Sequence, residues 1–314
     1  VRIVFLGTPA AAVPSLEAIL DAGHEVALVV TRPDRPVGRS GTPGPPPVKA
    51  RALQAGLRVL QPTRVRDAAF LSEIEGTRAD ALAVVAYGRI LPAPVLAAVP
   101  YGAINVHFSL LPKYRGAAPV AWALLRGERE TGVTTFHLDE GLDTGDVLLS
   151  RPVAIEEREH APALLARLAT LGGELLAETL DGLSRGAIVP RSQDHAAATA
   201  APMLSREDGA WDPEWSAREV EGRVRGLDPW PGVWAAKGGR RIRLVEAAAT
   251  ELTTPKEAGT VLELAEGRLL VAAVRGGVVA ITVVQPEGRR AMSARDAVSG
   301  RQLTPGERLE RPPA

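Results

Sequence analysis

The chain's single asparagine, Asn105, stands two residues before His107 in the run GAINVHFS (102–109). If that run is a strand, alternation puts both side chains on one face, about 6–7 Å apart along it. A neutral amide beside an imidazole suits acyl chemistry: the amide holds a developing oxyanion while the imidazole moves a proton. Further on, GLDTGDVL (141–148) is a glycine-punctuated loop with two carboxylates, Asp143 and Asp146. Either one, bonded to His107, would raise its pKa and fix its tautomer. The chain has no cysteine and no GxSxG, so a covalent acyl-enzyme is not indicated. Direct attack by a substrate nucleophile on a bound acyl donor is the better reading. Without Asn105 beside it, His107 would read as an ordinary buried histidine, and Asp143 alone as a turn residue holding its own backbone. His24, His137, His160 and His195 lack such a setting and read as structural or surface residues. With no HExxH or His-x-His pair, no metal site is expected.

Two loops flank this constellation. SLLPKYRGAAP (109–119) mixes apolar residues with backbone donors near Pro112 and Gly116, a composition able to press on a flat heteroaromatic ligand. RPDRPVGRSGTPGPPP (32–47) holds six prolines, three glycines and the arginines Arg32, Arg35 and Arg39. No apolar stripe could pack that loop, and its arginines suit a phosphate-bearing partner.

The elements that must position these residues alternate in type. RIVFLG (2–7) reads as a strand buried on both faces, Thr8-Pro9 as a helix start, and HEVALVVT (24–31) as the next strand. Strand, helix and strand in about thirty residues make a βαβ unit. Strands at 58–60, 79–87, 102–109, 132–138 and 146–155, with helices near 48, 67–75, 91–99, 117–126 and 161–184, continue it. The fold class is α/β, a doubly wound, mostly parallel Rossmann-like sheet. From about 187 the character changes. Residues 187–205 suit a linker, and strands at 232–249, 259–264, 268–274 and 277–285 with a short helix at 294–298 suit a small antiparallel β-barrel, OB-like among the options. The expected division is 1–186, a 187–205 linker, and 206–314.

Charge narrows the class further. Lys plus Arg and Asp plus Glu are 37 each, which excludes binding to nucleic acid through bulk charge but not through a local patch. No apolar run approaches a spanning helix and the chain enters a strand directly, so a cytoplasmic protein is expected, with a monomer as the default.

Asn105-x-His107, SLLPKYRGAAP and ETGVTTFHLDEGLDTGDVL (130–148), taken together, resemble the signature of folate-dependent formyltransferases. FLGTPAAAVPSLEAIL, TRPDRPVGR, QP (61–62), VVAYGRILP (84–92), DPWPGVW (228–234) and AMSARD (291–296) extend the resemblance over nearly the whole chain, to the members of that family that act on methionyl-tRNA. The resemblance implies a catalytic set of Asn105, His107 and Asp143, with Ser109, Leu110, Leu111 and Pro112 lying on the folate. It implies formyl transfer from 10-formyltetrahydrofolate to the α-amino group of methionyl initiator tRNA through a tetrahedral intermediate. Asn105 and a protonated His107 would hold the oxyanion, and Asp143 would orient His107. It also implies tRNA contacts from Arg39 and Arg35 and from the C-terminal barrel. Two departures stand out: Phe108 follows His107 where the family commonly has glycine, and Ser40-Gly41-Thr42 stands where relatives often carry lysines. Residues 206–314 hold 17 basic and 16 acidic residues, so a tRNA surface there must come from arrangement, such as Arg240, Arg241 and Arg243 on one strand. A formyltransferase for an amino sugar nucleotide is the rival with the same chemistry. A dinucleotide oxidoreductase is rejected, because the first turn reads Gly7-Thr8-Pro9 and the second strand ends Thr31-Arg32. A non-catalytic RNA-binding module would leave Asn105 and His107 without a purpose, and the barrel shows no aromatic pair for stacking bases.

Overall fold

The computed structural model describes residues 1–36 and 43–312. Two compact units emerge, one of Val1–Pro119, Glu130–Ala154 and Leu165–Ala201, the other of Val120–Arg129, Ile155–Leu164 and Pro202–Ala314.

In the first unit the chain runs β1 (Arg2–Gly7), α1 (Val13–Asp21) and β2 (Glu25–Val30), then a two-residue ladder of β3 (Arg35–Pro36) with β4 (Pro43–Gly44). It continues with α2 (Pro47–Gln54), β5 (Val59–Leu60), α3 (Ala68–Gly76), β6 (Ala81–Val85), α4 (Ala93–Leu96) and β7 (Ala103–His107). Strands β8 (Glu130–His137) and β9 (Val147–Ala154) follow, with helix α5 (Pro119–Leu125), which belongs to the second unit from Val120, before them and helix α6 (Ala161–Ser184), which belongs to the first unit from Leu165, after them. The seven-stranded sheet has the order β5-β2-β1-β6-β7-β8-β9. Pairs from β5 through β7 are parallel, and β8 and β9 add on antiparallel. The chain therefore builds outward from β1 to β5, then returns to the other side of β1. That reversal opens a crevice beyond the carboxyl ends of β1 and β6, where open α/β sheets take ligands.

Strand β7 carries Asn105 and His107. It is set in register by Val84 opposite Asn105 on one side and Thr134 opposite His107 on the other. Its outer cover is α6, which approaches unusually closely. A Cβ at Gly172 would stand 2.8 Å from Val106 Cγ1, and one at Gly173 2.7 Å from the Pro14 carbonyl. Two glycines in a helix interior cost about 1 kcal/mol each against alanine, and here they let the helix lie against β7 and α1. The expected helix over 91–99 is shorter in the structure, confined to Ala93–Leu96.

The second unit holds α7 (Ala217–Gly226), β10 (Val233–Lys237), β11 (Arg240–Thr253), β12 (Val261–Ala265), β13 (Arg268–Ala272), β14 (Gly277–Pro286), β15 (Met292–Ser293) and α8 (Ala294–Ser299). Its strands run β10-β11-β14-β13-β12, all antiparallel, with β15 beside β14. The expected strand 232–249 is a hairpin folded at Gly238-Gly239, a dipeptide suited to a two-residue turn. The tail bridges Ala236 of β10 through Glu310, and Thr260 before β12 through Arg308. It thereby covers both outer strands, which would otherwise offer unpaired backbone. Helix α7 lies outside the elements expected from the sequence. Its signal is Ser216-x-x-Glu219, and both halves of that capping box form.

Candidate active site

Strand β7 ends in the crevice, and the polar residues meet there. His107 is buried, and its Nε2 lies 2.8 Å from the Tyr114 carbonyl. A carbonyl only accepts, so Nε2 carries the proton and Nδ1 is left with its lone pair in the neutral ring. Nδ1 faces Asp143 Oδ2 at 3.7 Å, too far for a hydrogen bond. The edge of the His107 ring packs against the Phe136 ring at a centroid distance of 6.3 Å. Burial pushes the imidazole pKa below its ordinary value, against the upward pull of Asp143 and of the Tyr114 carbonyl. The carboxylate thus acts in the expected sense, but desolvation outweighs it.

Of the two carboxylates left open by the sequence, Asp143 is the one that faces His107. Asp146 points elsewhere, accepting from Ser192 Oγ at 2.9 Å. Asp143 is held on both its ends. Its Oδ2 accepts from the Gly116 backbone N–H at 2.8 Å, and its carbonyl accepts from Gln193 Nε2 at 2.9 Å. It adopts a left-handed backbone, φ 54°, which a short polar side chain tolerates better than most. The loop is tight: a Cβ at Gly145 would lie 1.9 Å from the His137 carbonyl oxygen.

A cavity of about 530 Å³ opens over these groups, lined in part by Asn105, His107, Phe108 and Asp143. Its far wall is Tyr87 to Leu91 with Leu96, Leu138 and Leu142. Ile90 and Leu142 stand 77% and 69% exposed, apolar side chains facing solvent at a polar site. Such a wall fits a flat, partly apolar ligand. The half-buried Asn105 amide makes no hydrogen bond to another described residue and lines the cavity, so its donor is available to whatever enters.

The expected residues separate on inspection. Asn105, His107 and Asp143 come together. Ser109 to Pro112 do not line the cavity: the Ser109 hydroxyl donates to the Lys113 carbonyl at 2.6 Å, and Thr134 Oγ1 donates to the Ser109 carbonyl at 2.7 Å. That segment instead forms the turn that delivers Tyr114 to His107. Phe108 lines the cavity beside His107. The wall at 87–91 was not singled out by residue chemistry; its signal is the apolar strand 81–85 running into Ala86 and Gly88, both at positive φ. Arg35 is exposed on β3, while Arg39 and Ser40 to Thr42 lie outside the described residues. In the second unit, Arg243 does not join Arg240 as a free cation. Its guanidinium is tied to Asp228 at 3.1 Å and to the Pro229 carbonyl at 3.0 Å, and Asp228 also meets His160 at 3.3 Å. The motif DPWPGVW is thus a clamp around Arg243.

Residues 1–180 match the family model for formyl transferase, and residues 203–302 match formyl transferase, C-terminal domain. The chain belongs to the formyl transferase family. Within the family it is similar to the methionyl-tRNA formyltransferase of Acidobacterium capsulatum, 48% identical over 309 residues, 98% of this chain and 99% of that one. It is 50% identical over 303 residues to the methionyl-tRNA formyltransferase of Anaeromyxobacter dehalogenans, covering 95% and 96% of the two chains. In fold it resembles an N-formyltransferase from Helicobacter canadensis solved with folinic acid and dTDP-3-aminofucose, with TM-score 0.68, 17% identity and coverage of 91% and 99%. Glycinamide ribonucleotide transformylase 1 from Symbiobacterium toebii matches 62% of this chain and 94% of its own, with TM-score 0.52 and 23% identity. No described helix is long and apolar enough to cross a membrane.

Proposed function

We propose that the protein transfers a formyl group from 10-formyltetrahydrofolate to the α-amino group of methionyl initiator tRNA. The observation that carries the reading is the meeting of an unpartnered Asn105 amide with the His107–Asp143 pair in one cavity, in a chain about half identical to methionyl-tRNA formyltransferases over nearly its full length. The apolar wall with Ile90 and Leu142 at its mouth is of the right character for a pterin-like ring, and it would hold the donor. Bound there, the folate supplies the formyl carbon as electrophile.

The chain's own residues do the rest. Asn105 donates to the formyl oxygen as negative charge grows on it, an interaction stronger in the transition state than before it. His107 starts neutral and takes at Nδ1 the proton that the attacking amine sheds. Asp143, 3.7 Å away, stabilises the imidazolium so formed and keeps the ring aligned. His107 then returns the proton to the departing nitrogen as its bond to the formyl carbon breaks. Exposed Arg35, with Arg39, would meet the acceptor arm through phosphates, and residues 206–314 would add a second tRNA surface in which Arg240 is exposed. The reading carries a cytoplasmic, monomeric enzyme with no metal.

The test is formyl transfer to charged initiator tRNA by the wild type and by His107→Ala. Transfer that collapses in the variant supports substrate and site together. Transfer only to an amino sugar nucleotide moves the acceptor to the rival class.

A further inference from the structure

The segment 187–205, expected as a surface linker, returns to the site. Arg191 pairs with Val147 as an antiparallel bridge, Ala200 pairs with Arg115 as a parallel one, and residues through Ala201 belong to the first unit. Between these bridges lie two side chains that grip the two partners of His107. Thr199 Oγ1 accepts from the Tyr114 N–H at 2.8 Å, holding the residue whose carbonyl receives His107 Nε2. Gln193 is buried and uses both ends of its amide. Its Nε2 donates to the carbonyls of Asp143 at 2.9 Å and Gly145 at 2.7 Å, and its Oε1 accepts from Arg115 Nε at 3.1 Å and Nη2 at 2.7 Å. One side chain therefore spans the loop that carries Asp143 and the turn that carries Tyr114 and Gly116, whose N–H binds the Asp143 carboxylate.

We propose that Gln193 is a positioning residue for proton movement at His107, setting the distance and angle of Asp143 without touching substrate. The proposal rests on the reading of His107 and Asp143 as the proton-moving pair. Asp143 sits in the left-handed region, and the Gln193 bond to its carbonyl helps to hold that conformation. A restraint that ends on backbone carbonyls requires an N–H donor, and one that ends on Arg115 requires an acceptor. The Gln193 amide supplies both, two N–H donors for the two carbonyls and an oxygen for the guanidinium. Around the imidazole, Asp143 is the charged group within 4 Å among the described residues; Tyr114 contributes a carbonyl and Phe136 a ring edge.

The experiment compares the full-length wild type with Gln193→Met, Gln193→Glu and Ser192→Ala. Methionine keeps the volume and removes all four bonds. Glutamate keeps the Arg115 bonds but cannot donate to the carbonyls. Ser192 neighbours Gln193 but bonds Asp146, so its alanine variant is the control. His107 is titrated by NMR on histidine-labelled protein, its signal assigned by loss in His107→Asn, with thermal unfolding measured alongside. Misplacing a reacting group by about 1 Å costs on the order of 10² in rate, so kcat falls about 10- to 100-fold in both Gln193 variants with KM for methionyl-tRNA little changed. In Gln193→Met the His107 titration moves to lower pH, because a displaced Asp143 supports the imidazolium less. Ser192→Ala leaves both unchanged. A folded Gln193→Met with wild-type titration and kcat overturns the proposal, as does full rescue by Gln193→Glu, which would make Arg115 anchoring the whole effect. If methionyl-tRNA proves not to be the acceptor, the proposed function fails, but the titration still decides this inference.

Discussion

Truncating Asn105 to alanine tests the chemistry most directly. The amide stands on β7, on the same face as His107, lines the cavity and bonds to no other described residue. Its loss therefore strands no buried partner, and the cost to folding is about 1 kcal/mol or less. Its loss from the transition state is a different matter. A single donor aimed at a developing oxyanion is worth on the order of 10²–10³ in rate, about 2.7–4 kcal/mol. The expected result is a fall of that size in kcat for formyl transfer to methionyl-tRNA, with the thermal midpoint nearly unchanged. Asn105→Asp sharpens the test, since the carboxylate has almost the same shape but no donor. It should be at least as impaired as alanine, because its charge repels the oxyanion. Steady-state formylation and a thermal melt on the three proteins suffice. A fall of less than about fivefold in Asn105→Ala, or an Asn105→Asp variant more active than alanine, would refute the oxyanion assignment.

Three further outcomes follow from the geometry. Gly145→Ala places a Cβ 1.9 Å from the His137 carbonyl, so it should lower stability by about 1–3 kcal/mol in denaturant unfolding and cut kcat by dragging Asp143; unchanged values would show the loop to be freely adjustable. Burial lowers the pKa of His24, His107 and His137 below 6.5 in the folded protein, so protonation favours the unfolded chain. Stability should be fully present above about pH 6.5 and decline as pH falls toward the folded values, and His137→Gln should shallow that decline in equilibrium unfolding. Arg35→Ala should weaken initiator tRNA binding and reduce the slope of log K against log salt by about 0.7–0.9, the loss of one phosphate contact. An identical slope would remove Arg35 from the interface.

Local features of the chain account for much of what was legible. Unbroken apolar runs mark β1 and β6 as strands buried on both faces, and the alternation in 102–109 is enough to put Asn105 and His107 on one side of β7. Ser216-x-x-Glu219 could have announced α7, where both halves of the capping box form and Ala217, Val220 and Val224 are buried on one side. Other features depend on neighbours distant in sequence. Arg243 reads as a tRNA-facing cation until Asp228 is seen closing on it.

The residue types alone determined the chemistry on offer: an amide, an imidazole and a carboxylate loop, without a thiol, on an alternating α/β chain. Setting Asp143 Oδ2 3.7 Å from His107 while Asp146 bonds Ser192, tying the Ser109 hydroxyl to the Lys113 carbonyl, and bringing Gln193 back across 50 residues to the Asp143 carbonyl were decided by the tertiary structure. The same holds for the direction of the His107 pKa shift. An adjacent carboxylate argues for a raised pKa, but burial is a property of the folded whole, and its desolvation cost exceeds the attraction of a single partner 3.7 Å away.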